Sequence, residues 1–505
     1  MRNILYTKGL VFGIIFLFVG AGVVPTISIG FTEENLNNQQ QSIYYTNNPK
    51  SLGDSHDLVI IAPNIFSDEL QKLIEHKNQH GINTYLKTTE SIYNEYDGVD
   101  KPEQIKYFIK YAIENWSTRY VLLVGGLKSL IYGRPKDDPN QGAKDWWLPV
   151  RYSNLKEDGF VYDPGFISDL YYVDIYDAGG GFSSWDSNGD GYFANWGNIP
   201  GAERDIIDFY PDVAVGRLPC RNKLEVRIMV NKIIKYEKKP GGSWYDKMIC
   251  VAGDSYDDPP WDLPEGEIFC DLILERYMDE FTPVRLYGSN TDTDPSMTPE
   301  PKNIIREISK GSGHLLFIGA GNPYKWSTHY PGDFQTYAGG IDILRFPLLI
   351  NGGKLPICVT DGCHNSMFNV SAVTTWLDKD NSKHLWSYGR IVPECWSWWL
   401  TRKIGGGCIA TLGNTGLTYL AMGDYKFDPD GDGVDDPDCF EVFYGFLMRL
   451  FYEKLDEGVG ILGDAWADAM VNYMDIFPPM FNQIDAKTVQ QWVLIGDPSL
   501  KIGGY

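Results

Sequence analysis

Cys363 lies in the run Leu355-Pro356-Ile357-Cys358-Val359-Thr360-Asp361-Gly362-Cys363-His364-Asn365. An apolar, β-prone segment stops at Asp361-Gly362, and a thiol follows. Open α/β sheets bind and react with ligands at the carboxyl ends of their strands, so this pattern suits a cysteine nucleophile. Such a thiol needs a lowered pKa, a nearby imidazole and backbone donors for an oxyanion. Gly362 beside it lets a carbonyl oxygen approach the main chain closely. The competing reading is a buried structural cysteine, the usual state of a free thiol. A second run of the same design, His314-Leu315-Leu316-Phe317-Ile318, ends at Gly319-Ala320-Gly321 and predicts a neighbouring strand end. Main-chain amides around Gly321 and Gly362 are the expected oxyanion donors.

Seven histidines make the search for a base short. His76 and His80 fall on an early helix. His314 opens the strand that ends near Ala320, about 20 Å from the reactive end at roughly 3.3 Å per residue. His364 adjoins Cys363, and adjacent extended residues face opposite sides. His329, in Trp326-Ser327-Thr328-His329, is the one histidine expected to reach Cys363.

Two acidic loops have the spacing of calcium ligands. Asp428-Pro429-Asp430-Gly431-Asp432-Gly433-Val434-Asp435-Asp436 offers carboxylates at positions 1, 3 and 5, the Val434 carbonyl at 7 and Asp436 at 9. Position 12 is Cys439, with Asp438 or Glu441 as substitutes. Asp186, Asn188, Asp190 and Tyr192 repeat the pattern without an acid at position 12. Calcium, in a structural role, is the expected cofactor. The other reading of either loop is a solvated acidic turn.

The elements that position these groups follow from periodicity. Strands are expected at Asp57–Ala62, Asn83–Lys87, Tyr120–Gly125, Leu170–Ile175 and Asp212–Pro219, with helices at Ser67–His80, Lys101–Trp116 and Lys223–Lys238. After the Lys239-Pro240-Gly241-Gly242 break the pattern restarts. Strands at Lys247–Ala252, Leu315–Gly319, Leu355–Val359 and Cys408–Leu412 alternate with helices, and residues 494–502 form a closing strand. The fold class is therefore α/β, with two tandem doubly wound, mostly parallel sheets. Their expected bounds are residues 57–240 and 241–505.

Composition narrows the function. The chain has 505 residues and a formal net charge of −23, and no basic patch stands out, which excludes nucleic acid as the expected partner. Arg2 and Lys8 precede an uncharged apolar run, so residues 1–30 read as a signal peptide or a single N-terminal membrane anchor. Residues 31–56, rich in Asn, Gln and Ser, read as a polar linker. Either reading makes the body exported, secreted or cell-surface. Eight thinly spread cysteines give no dense disulfide framework, although one or two disulfides are compatible with export.

An ordered set of motifs resembles the gingipain-type cysteine peptidases of the caspase-like clan. It comprises Asp57-Leu58-Val59-Ile60-Ile61-Ala62, Val121-Leu122-Leu123-Val124-Gly125, Ser168-Asp169-Leu170-Tyr171-Tyr172, Pro211-Asp212-Val213-Ala214-Val215-Gly216-Arg217, Gly362-Cys363-His364-Asn365 and Gly496-Asp497-Pro498-Ser499-Leu500. The resemblance implies a caspase-like fold, proteolysis of protein or peptide substrates, and Cys363 as nucleophile. It also implies a histidine in a Gly-His-Gly turn after the upstream strand. This chain has Gly319-Ala320-Gly321 there. Two readings follow, an endopeptidase in which His329 serves as base and an inactive binding protein that keeps the fold. A glycoside hydrolase is the third reading, but no pair of facing carboxylates stands out for it.

Overall fold

A computed structural model describes residues 55–155, 165–197, 199–238, 241–255, 263–377, 391–424, 428–478, 480 and 482–505. Residues 1–30, expected to be a targeting segment, and most of the expected linker at 31–56 lie outside the described residues, as do Lys239 and Pro240. No helix among the described residues is long and apolar enough to cross a membrane.

Fifteen strands are described: β1 (Leu58–Ala62), β2 (Thr84–Thr88), β3 (Tyr120–Val124), β4 (Gln141–Gly142), β5 (Val150–Arg151), β6 (Ala214–Leu218), β7 (Lys247–Ala252), β8 (Thr282–Tyr287), β9 (His314–Ile318), β10 (Ala320–Gly321), β11 (Lys325–Tyr330), β12 (Asp333–Asp342), β13 (Ile357–Thr360), β14 (Ala410–Asn414) and β15 (Trp492–Ile495). The helices of the first half are α1 (Ser67–Gln79), α2 (Thr89–Glu95), α3 (Lys101–Trp116) and α4 (Lys223–Glu237). Those of the second half are α5 (Glu265–Arg276), α6 (Pro301–Lys310), α7 (Ala372–Leu377), α8 (Trp396–Arg402), α9 (Asp438–Glu441), α10 (Phe443–Asp456), α11 (Leu462–Ile476) and α12 (Gln483–Gln491).

Where two tandem sheets are expected, the strands form one ten-stranded sheet of order β2-β1-β3-β6-β15-β14-β13-β9-β7-β8. The seam is β15, antiparallel to β14 and parallel to β6. Every other neighbouring pair in this sheet is parallel. Strands such as Leu58–Ala62 and Tyr120–Val124 are buried throughout, as parallel strands covered on both faces must be. Each fully buried Leu, Ile or Val there contributes about 1.5–3 kcal/mol.

The polar motifs have structural jobs at the seam. Arg217 is fully buried, and its fork donates to both oxygens of Asp169 at 2.7 Å and to the Gly125 carbonyl at 3.0 Å. Asp497 accepts from Ser499 N at 2.9 Å and pairs with the buried Lys77 at 2.8 Å, while Glu237 holds the same ammonium at 2.7 Å. The Gly496-Asp497-Pro498-Ser499 signature thus ties β15 to α1 and α4. The segment Leu170–Tyr172, expected as a strand, is a 3-10 turn. Its tyrosines serve the polar core instead: the Tyr171 hydroxyl accepts from buried Arg151 at 3.1 Å, and the Tyr172 hydroxyl donates to the Pro149 carbonyl at 2.7 Å.

Candidate active site

Cys363 sits one turn beyond β13, and β13 pairs directly with β9, which leads into Gly319-Ala320-Gly321. The two predicted strand ends are therefore neighbours. Their contact is intimate, since a Cβ on Gly321 would lie 2.6 Å from Gly362 Cα. Glycine is required there because the main chains of the two turns touch. His364 then takes φ 55°, a left-handed residue that turns the chain sharply after the thiol.

Asn365 is the residue that sequence reasoning passed over. Its amide donates to the Asn322 carbonyl at 2.6 Å and to the Lys325 carbonyl at 3.3 Å. Its Oδ1 accepts from Thr360 Oγ1 at 3.1 Å, and Thr360 Oγ1 in turn accepts from Gly362 N at 3.2 Å. One buried amide thus stitches the cysteine turn to the turn after Ala320. The Cys-His-Asn triplet was the available signal, since a polar residue two positions past a reactive thiol has few other reasons to be buried.

Cys363 is the only half-exposed thiol of the eight; the other seven are buried, and all eight are free. Its Sγ lies 3.7 Å from the Thr418 carbonyl. Burial pushes the thiol up to about 11, with Asp361 adding to the rise and Lys487 opposing it. Asp361 is itself buried, and burial holds its carboxyl well above the usual range. The Cys363 N–H makes no hydrogen bond with another described residue, while the His364 N–H is taken by the Gly416 carbonyl at 2.9 Å. The Cys363 N–H is the open donor at this turn.

The expected base stands elsewhere. His329 lies in β11, within the antiparallel ribbon β10-β11-β12. Its main chain exchanges two 3.2 Å hydrogen bonds with Asp254, just past β7. Because β9 lies between β7 and β13, that anchor is two strand spacings from Cys363, about 10 Å. Among the described residues no hydrogen bond joins His329 to Cys363. The His329 ring packs instead on Tyr337, with centroids 4.1 Å apart. Tyr337, on β12, is 56% exposed, and its phenol is raised first by burial and then by the Cys363 sulfur. Tyr337 is therefore near both the imidazole and the thiol. Burial lowers the His329 pKa, which keeps the ring neutral at pH 7.

A raised thiol with no ion-pair partner reacts slowly. Alkylation of Cys363 by iodoacetamide is expected to rise about tenfold per pH unit from pH 7 to 10, because the thiolate is the nucleophile. A plateau below pH 8, read by mass spectrometry of the Cys363 peptide, would contradict this environment.

Of the expected calcium ligands, Asp428, Asp430 and Asp432 have carboxylate oxygens within 4.8 Å of one another. The loop is wound by its own amides: Asp432 N donates to Asp428 at 3.1 Å, Gly433 N to Asp428 at 3.0 Å and Val434 N to Asp432 at 2.7 Å. Asp436 departs from the expected ligand set, because Arg276 holds both its oxygens at 2.5 Å. Arg449 donates to Asp430 at 2.6 Å and lies 3.8 Å from the fully buried Glu441. The second loop is wound alike, with Asp190 N on Asp186 at 2.9 Å, Gly191 N on Asp186 at 3.0 Å and Tyr192 N on Asp190 at 2.9 Å. There Asn188 also donates to the Glu203 carbonyl at 3.1 Å.

Trp396 and Trp398 are buried beneath the sheet, with Trp396 edge-on to Phe317 at 5.1 Å. They are core.

The model of peptidase family C25 matches residues 51–503. The chain belongs to peptidase family C25. Among characterised relatives, Gingipain R2 of Porphyromonas gingivalis is 23% identical over 319 residues, 62% of this chain and 32% of the relative. An uncharacterized protein of Archaeoglobus fulgidus is 22% identical over 387 residues, 74% of this chain and 78% of its own length. The aligned part spans about a third of the gingipain it matches. The fold resembles the crystal structure of the Arg specific cysteine proteinase gingipain R, with TM-score 0.55 and 19% identity over 90% of this chain and 80% of that one. The complex of the pro- and mature domains of the Porphyromonas gingivalis proteinase aligns with TM-score 0.54, 19% identity, and 88% and 79% coverage.

Proposed function

We propose that this C25 chain is an exported cysteine-type endopeptidase acting on protein or peptide substrates through Cys363. The observation that carries the reading is the contact between the Gly321 and Gly362 turns beside the one half-exposed thiol. In this reading Cys363 Sγ attacks the scissile carbonyl, and the Cys363 N–H, with main chain near Gly321, holds the oxyanion. The thiol proton passes to His329 once the ribbon brings that ring to the sulfur, and His329 returns it to the leaving amine. Arg2, Lys8 and the apolar run behind them support export.

The test is cleavage of casein by the full chain and by Cys363→Ser. Slow cleavage that disappears in the variant supports the proposal. Equal rates, or none in either, favour the second reading, a peptide-binding protein that keeps the fold without turnover. Ala320, and the lack of a hydrogen bond between His329 and Cys363 among the described residues, are the observations that favour it.

We also assign structural calcium to the 428–432 loop, with Asp428, Asp430 and Asp432 as ligands; Asp186, Asn188, Asp190 and Tyr192 form the second candidate. A cation bound only by the native loop stabilises the fold by mass action. Adding 5 mM calcium chloride after EDTA is expected to raise Tm, and Asp428→Asn with Asp430→Asn to remove most of that rise. An unchanged Tm on adding calcium contradicts the assignment.

A further inference from the structure

A second site candidate lies at the opposite pole of the sheet from Cys363. A cavity of about 270 Å³ opens at the amino ends of β7 and β9, lined among others by Tyr245, Phe281, His314, Asp279, Glu280 and Asp456. His314 is the first residue of β9 and is only 2% exposed. Its ring makes no hydrogen bond with the described residues, and Nδ1 is fully buried. Aromatic rings surround it: Phe281 meets it edge-on at 5.1 Å, Tyr245 at 6.2 Å and Tyr452 at 6.5 Å. A buried imidazole without a partner is costly unless something satisfies it.

The electrostatics of the cavity have one sign. Helices α5 and α10 both end at its rim, at Arg276 and Asp456, and present the negative ends of their dipoles. Asp279, Glu280 and Asp456 add three carboxylates, and no lysine or arginine is among the lining residues. Lys501, packed against Gly460, is a cation just outside the rim. Burial lowers the His314 pKa to about 4, so at neutral pH the ring adds no positive charge and offers one acceptor and one donor.

We infer that this cavity binds a small organic ammonium, such as a primary amine or a lysine-type side chain, with the cation between the aromatic walls and the acidic rim and an N–H donated to His314. Aromatic faces with carboxylates behind them attract an alkylammonium, and the volume admits a few carbons, not a folded domain. The site is separated from Cys363 by the length of β9, so it is distinct from the cleavage site.

Calorimetric titration of the full chain tests this with propylammonium, Nα-acetyl-lysine amide, and butyrate as the anionic control. Saturable binding of propylammonium, no binding of butyrate, and about tenfold weaker binding in Asp279→Asn/Glu280→Gln are expected. Both acids are exposed, so that variant folds. His314→Phe is expected to lose binding as well. Nα-acetyl-lysine amide binding as tightly as propylammonium identifies a basic side chain as the ligand; propylammonium binding alone identifies a free amine. Failure of both amines to saturate, or affinity unchanged in the double variant, overturns the inference.

Discussion

Ala320→His is expected to raise the rate of peptide cleavage about 10²–10⁴-fold, the usual contribution of general acid–base assistance. The reasoning rests on place. Residue 320 lies in β10, directly before Gly321, whose main chain touches Gly362 beside Cys363. Ala320 is half-buried, so a larger ring there has an open side. The family resemblance puts an imidazole at this position. An imidazole close to Cys363 also favours the thiolate, so the pH profile of alkylation should acquire a plateau near neutrality. Cleavage and alkylation unchanged in a folded Ala320→His protein would mean that the turn does not present residue 320 to the sulfur.

Gly362→Ala is expected to destabilise the fold by about 1–3 kcal/mol, in the range of overpacking substitutions. The new methyl would collide with Asn365 Oδ1 and stand 3.0 Å from the Trp326 ring. Asn365 could not then hold both Asn322 and Lys325, and the cysteine turn would lose its tie to the Ala320 turn. A displacement of about 1 Å at a nucleophile costs on the order of 10²-fold in rate, so any cleavage should fall by that factor. Denaturant midpoint and casein cleavage measure the two effects. A folded, fully active Gly362→Ala would show that the contact between the turns is dispensable.

The parts of this site that were legible in the sequence are those set by local pattern. Apolar runs ending in Asp361-Gly362 and Gly319-Ala320-Gly321 marked two strand ends, and the parallel β9–β13 pair brings them together. The Leu-Tyr-Tyr segment misled because its aromatic residues favour strands, whereas buried Arg151 and the Pro149 carbonyl draw the two hydroxyls into a polar core. The ribbon from Ala320 to Asp342 was hidden for another reason. Its pairing has register shifts and relies on Gly339 and Gly340 at positive φ, so no clean alternation survives. Since His329 and Tyr337 both ride on that ribbon, their ring contact is a tertiary fact. The Asp436 ligand failed similarly, because spacing cannot reveal that Arg276, 160 residues away, already holds it.

The most direct test of the central claim is labelling with a peptidyl acyloxymethyl ketone, which alkylates a cysteine only where a bound peptide presents its carbonyl to the sulfur. After digestion and mass spectrometry, the account predicts a single adduct, on Cys363 among the eight cysteines, that is absent from Cys363→Ser. A folded protein that leaves Cys363 unmodified while the same probe labels another cysteine, or none, would contradict it.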